Sequence, residues 1–139
     1  MGVIIDTSVL IAAEHGRFAL GAMIEATPVD GYLMSAISAS ELPLAIHLLR
    51  DPSARVRKSA AVESLLSLLP VVPFGAVEAR LHANLMATLR RKGQLIGAHD
   101  MLIAATALAG SHALATLDVS DFARVPGLRL VETAPFVLN

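Results

Sequence analysis

No cysteine and no tryptophan occur in the 139 residues; tyrosine appears once and phenylalanine four times. Without thiols the chain forms neither disulfides nor thiolate metal sites, so a bound metal has only oxygen and imidazole to use, and a cytoplasmic location is the expectation. The scarcity of aromatics removes any evident platform for stacking bases, so base specificity is not legible here. Neither sign of charge is in excess. Eleven Lys and Arg stand against twelve Asp and Glu, a net charge of −1 that announces no polyanionic partner for the chain as a whole. A clean apolar run of membrane-spanning length is also missing. The longest charge-free stretch, Met101 to Leu117, is interrupted by Gly110, Ser111 and His112. No positively charged leader precedes the first strand, so a soluble protein without a signal peptide or membrane span is expected.

What is plentiful is apolar. Hydrophobic residues make up 55% of the chain and the mean hydropathy is +0.64, far from the signature of disorder. One domain over residues 1–139 is expected, and the apolar excess points to self-association or a tight partner.

Val3, Ile4 and Ile5 read as a short β-branched strand ending in Asp6, followed by helix at Val9 to Ala13. Helix is expected again at Phe18 to Ala26, Ser38 to Leu49, Pro52 to about Leu69, from Val77 to the basic turn Arg90, Arg91, Lys92 before Gly93, and from Asp100 to Gly110. Further strands are expected at Gly31 to Ser35, Val71 to Phe74, Ala113 to Leu117 and Leu128 to Glu132. Short apolar strands alternating with helices imply an α/β fold with a mostly parallel sheet of four to five strands, covered on both faces.

In such a sheet, strand C-termini and helix N-termini share one edge, where ligands bind. Asp6, Glu41, Asp100 and Asp118 all fall on that edge, with Asp121 three residues further on. Each acid has a purely structural alternative as a helix N-cap, and Ser38 with Glu41 matches capping-box spacing. Pro43 argues against that box, since a helix starting at Ser40 would place the proline in the tolerated first turn and free Glu41. Clustered carboxylates repel one another unless a cation offsets them. Oxygen-only ligands favour Mg²⁺ or Mn²⁺, and the matching chemistry is metal-assisted phosphodiester hydrolysis.

The order DTSVLI at Asp6, SASEL around Glu41, GAHDMLIAATAL around Asp100 and TLDVSDF from Thr116 resembles PIN-domain ribonucleases of the VapC toxin type, over nearly the whole chain. The resemblance implies a three-layer α/β/α fold, an acidic pocket for Mg²⁺ or Mn²⁺, and cleavage of single-stranded RNA. It implies Asp6, Glu41 and Asp100 as metal-site acids and either Asp118 or Asp121 as the fourth. As partners it implies an RNA substrate, a second copy of the chain, and a small VapB-type antitoxin, expected to place a cationic side chain among the acids.

Thr7, Ser8 and Thr116 are candidates to hydrogen-bond the acids, or only the backbone. His99 is a candidate proton shuttle or a plain surface residue; His15, His47, His82 and His112 share no ligand spacing. Arg90, Arg91 and Lys92, and the cluster Arg55, Arg57, Lys58, are candidates for RNA phosphates or solvated helix surface. Two rivals remain open: a PIN nuclease of RNA processing without a toxin role, and a receiver-like phospho-acceptor module, which would want a Lys beside the acids. A haloacid-dehalogenase-like phosphatase would want Asp where Ser8 stands.

Overall fold

The computed structural model describes residues 2–139. Four strands, β1 (Val3–Ile5), β2 (Tyr32–Ser35), β3 (Val71–Val72) and β4 (Ala113–Ala115), form one sheet in the order β3-β2-β1-β4. Every pairing is parallel: Ile4 lies opposite Leu33 on one side and Leu114 on the other. The helices are α1 (Thr7–Glu14), α2 (Leu20–Ala26), α3 (Ala36–His47), α4 (Pro52–Leu68), α5 (Ala76–Arg91), α6 (Ala98–Ala109) and the short α7 (Val119–Phe122), with a 3-10 turn at Ala134–Phe136.

The two-residue period of β1 separates the layers. Val3 and Ile5 face a core with Val9, Leu10, Met23, Leu42 and Val62 from α1 to α4. Ile4 faces the other way, onto Leu85 and Leu89 of α5 and Met101, Ile103 and Ala104 of α6. The strand β4 divides identically, Ala113 and Ala115 to the first core and Leu114 to the second. Apolar residues at every position of β1 and β4 are therefore what a sheet covered on both faces demands, and the expected three-layer α/β/α architecture is present.

Four expectations need correction. The strand anticipated at Leu128 to Glu132 is one isolated parallel bridge, Leu114 to Leu130, flanked by two backbone bonds to Leu114. The strand β3 stops at Val72, before Pro73, which has no N–H to continue a ladder. The helix α3 begins at Ala36, earlier than either Ser38 or Ser40, because Ser35 is its N-cap and accepts the Ser38 amide. Pro43 thus sits inside α3 and forfeits a bond to the Ala39 carbonyl; the cap and the buried Leu42 and Ser38 hold the helix against that loss.

Within the sheet, β1 has β2 on one side and β4 on the other, so the chain order reverses at its C-terminal end. That reversal opens a crevice between the connections. Asp6 is the residue at its floor.

Candidate active site

Whether the acids are caps is settled by their hydrogen bonds. Asp6 occupies the N-cap position of α1 and Asp118 that of α7, yet neither side chain caps its helix. The cap of α6 is Gly97, which leaves Asp100 in the first turn with no capping role. Asp51 is the contrast: its carboxylate accepts the Ala54 amide at 3.0 Å and caps α4. Glu41 lies further along, in the second turn of α3. The carboxylates of Asp6, Asp100 and Asp118 are thus not spent on the helices that carry them.

Hydroxyls hold two of the acids in place. Asp6 is only 2% exposed, and its Oδ2 accepts the Ser8 hydroxyl at 2.7 Å and the Thr116 hydroxyl at 2.8 Å. Those hydroxyls in turn accept the amides of Leu117 and Asp118, tying α1 to the β4 exit. Glu41 Oε1 accepts the Thr7 hydroxyl at 2.8 Å, and Glu41 Oε2 lies 3.2 Å from Nδ1 of the mostly exposed His99. Thr7, Ser8 and Thr116, each with a blander sequence reading, therefore touch the acids directly. Thr116 is fixed further by Thr133, which donates to its carbonyl.

The electrostatics follow from this crowding. Burial pushes Asp6 above the usual carboxylate range and Asp118 adds to the rise, while the Ser8 and Thr116 hydroxyls oppose it. Asp100 is pushed up to about 6, first by burial and then by the negative charges of Asp6, Asp118, Glu41 and Asp121. All five acids anticipated from sequence therefore share one electrostatic neighbourhood. Asp118 acts on both Asp6 and Asp100, whereas Asp121 acts only on Asp100 and lies 3.9 Å from Arg124 at the rim.

The chain matches the PIN domain over residues 3–128. It belongs to the PIN-domain family. Ribonuclease VapC1 of Rickettsia felis is 35% identical over 131 residues, covering 94% of this chain and 96% of the relative. Ribonuclease VapC of Rickettsia bellii is 34% identical over the same span and coverage. Among solved structures, VapBC2 of Rickettsia felis bound to a DNA fragment from its promoter superposes with a TM-score of 0.85 at 24% identity, over 94% of this chain and 98% of that one. FitAcB of Neisseria gonorrhoeae gives 0.80 at 26% identity, over 95% and 98%.

In this PIN domain the donor set suits a hard divalent cation: four carboxylates, no thiol, and no Lys among them. Among the described residues no three His, Asp or Glu side chains already converge as a ready-made ion cage. Asp100 is raised first by burial and then by the neighbouring acids, and a bound cation would offset the second of these.

The basic clusters separate. Lys58 bonds to Glu14 at the far end of α1, so the Arg55–Lys58 cluster is turned to the edge opposite the acids. Arg90, Arg91 and Lys92 are exposed on the last turn of α5, one short turn before α6 and Asp100. His112 is structural, its Nδ1 accepting the Gly2 amide.

Sequence reasoning missed Ser35, Ser38 and Arg124. Arg124 donates to the Leu95 carbonyl and so ties α7 to the turn before α6. Ser38 stands one helical turn before Glu41, a spacing visible in SASEL but weighed from sequence only as a capping box, against which Pro43 argued.

Proposed function

We propose that this PIN domain is a divalent-metal-dependent endoribonuclease that cleaves single-stranded regions of RNA in the cytoplasm, as the toxin of a toxin–antitoxin pair. The observation that carries the reading is that four carboxylates at the sheet's switch point share one electrostatic neighbourhood, with Asp6, Asp100 and Asp118 uncommitted to helix capping. Asp6, Glu41, Asp100 and Asp118 hold the ion, and Asp121 lies outside them, beside Arg124. Bound Mg²⁺ or Mn²⁺ supplies Lewis acidity toward a phosphodiester and lowers the pKa of a bound water. The chain's own contribution is a pocket whose acids are pre-oriented by Ser8, Thr116 and Thr7 and flanked by His99. Arg90, Arg91 and Lys92 attract the RNA backbone from the turn beside α6.

Similarity over 94% of the chain to VapC ribonucleases, and to a member of the VapBC family of toxin–antitoxin systems from Mycobacterium tuberculosis, supports the toxin role over a housekeeping nuclease. The surface agrees with a partner-bound life: Leu44, Leu48, Val56 and Leu68 of α3 and α4 are all more than half exposed, which suits a homodimer, an antitoxin or both. A cationic side chain of the antitoxin would satisfy the acids in place of the metal. No helix among the described residues is long and apolar enough to cross a membrane. The receiver-like alternative has no support, because Lys58 is committed to Glu14 and Lys92 stands at the end of α5.

Induction in a bacterium, with mapping of new RNA 5′ ends, tests the reading. Discrete new ends and growth arrest are expected, both lost in Asp6→Asn and suppressed by the co-expressed antitoxin. Arrest without new ends, or equal ends in the Asp6→Asn strain, would refute it.

A further inference from the structure

Behind Thr7 and Glu41 lie two further buried hydroxyls, Ser35 and Ser38, to which the proposed chemistry gives no role. Ser35, the N-cap of α3, and Ser38 are both 0% exposed. The Ser38 amide donates to Ser35 Oγ at 3.1 Å, and the Ser35 hydroxyl donates to Ser38 Oγ at 3.2 Å. Ser38 Oγ lies 2.7 Å from Thr7 Oγ1. The Thr7 hydroxyl donates its one proton to Glu41 Oε1, so Ser38 must be the donor to Thr7. Every hydroxyl in the row therefore points the same way, from the α3 cap toward the carboxylate. Aligned hydroxyls polarise one another, and the last acceptor gains most.

We infer that Ser38, acting through Thr7, is a positioning residue for Glu41: the row anchors Oε1 and leaves Oε2, beside the exposed His99, as the oxygen free to exchange toward an incoming cation. A carboxylate held at one oxygen keeps its rotamer without losing its capacity as a ligand. Outer partners of this kind orient the groups that hold a metal and affect its affinity as well as the reaction. The Asp6 side of the site is built on the same plan, with an amide, a hydroxyl and a carboxylate in series through Ser8 and through Thr116.

The inference rests on the metal-nuclease reading, and Mn²⁺ binding to the purified full chain, followed by electron paramagnetic resonance and calorimetry, tests both separately. Thr7→Val should weaken Mn²⁺ binding by about 10- to 100-fold, the range for loss of an outer partner, while Thr7→Ser restores it. Ser38→Ala should weaken it by a smaller factor in the wild-type background and by none in the Thr7→Val background, because its effect passes through the Thr7 hydroxyl. Thermal unfolding accompanies each variant; should Ser38→Ala not fold, the near-isosteric Ser38→Cys takes its place. Equal losses from Ser38→Ala in both backgrounds, or a lowered melting temperature with unchanged Mn²⁺ affinity, would overturn the inference. Failure of the wild-type chain to bind Mn²⁺ at all would instead overturn the proposed function.

Discussion

Helix α1 has an inaccessible acid at each end, and the surroundings of the two have little in common. At the C-terminal end Glu14, its side chain 6% exposed, is paired with Lys58 and flanked by His15 at 3.4 Å. At the N-terminal end Asp6 is more deeply buried still, but its partners are the neutral hydroxyls of Ser8 and Thr116, and its charged neighbour Asp118 is another acid. One end is a charge that the fold neutralises, fastening α1 to α4. The other is a carboxyl that the fold holds in place with no cationic partner, as the proposed metal site requires. Burial alone does not distinguish a structural acid from a functional one; the sign of its neighbours does.

Exchanging the two acids for their amides exposes the contrast most strongly. Asp6→Asn should abolish RNA cleavage by well over the roughly hundredfold effect of outer-sphere changes while leaving the melting temperature nearly unchanged. Glu14→Gln should do the reverse: activity within a factor of two or so, and a stability loss of about 2 kcal/mol for a charged hydrogen bond whose partner Lys58 is left unmatched. Chemical denaturation and a cleavage assay on both proteins give the comparison, and matching stability losses would erase it.

A smaller effect is expected at Asp100. Its carboxyl titrates near 6 in the metal-free fold, above the ordinary value of 3.8, so the folded state holds this proton more tightly than the unfolded chain. The stabilisation is complete below about pH 4 and is lost as pH rises through 6. Metal-free protein should therefore lose stability between pH 4 and 7, and Asp100→Asn should flatten that slope. At pH 7 the variant should be about 1 kcal/mol more stable than the parent, a figure reduced for the partial solvation of the group. Denaturation across that pH range in EDTA measures it, and an unchanged slope would remove Asp100 from the repelling cluster.

The legibility of these features in the sequence is uneven for physical reasons. The strands β1 and β4 and the acids Asp6, Asp100 and Asp118 are readable because strand and helix alternation dictates which edge they occupy. Glu41 falls on the right edge from sequence, but its helix starts earlier than its residues suggest: the cap at Ser35 depends on where β2 ends, which propensity does not fix. Leu128 to Glu132 has the composition of a strand, yet it adds only one bridge beside β4. The hydroxyl partners of the acids are visible as residue types near the motifs; their direction and burial are tertiary facts. Lys58 cannot be assigned to Glu14 from sequence, since that pairing joins residues 44 positions apart.

The smallest effect concerns Arg90 and Arg91, exposed in the last turn of α5. Replacing both by Ala in the inactive Asp6→Asn background should weaken binding of a single-stranded oligonucleotide uniformly across sequences. The salt dependence should fall in slope by about 0.7 for each phosphate that is no longer neutralised. Unchanged affinity and slope would return the basic turn to the role of a solvated helix end.

The central claim is that the unneutralised acids exist to hold a divalent cation for phosphodiester cleavage. It is tested most directly by incubating the purified chain with labelled single-stranded RNA in Mg²⁺ or Mn²⁺ and in excess EDTA. Cleavage with either ion, none in EDTA, and recovery when the ion is returned in excess is the predicted result. Undiminished cleavage in EDTA by a preparation whose Asp6→Asn counterpart is equally active would contradict it.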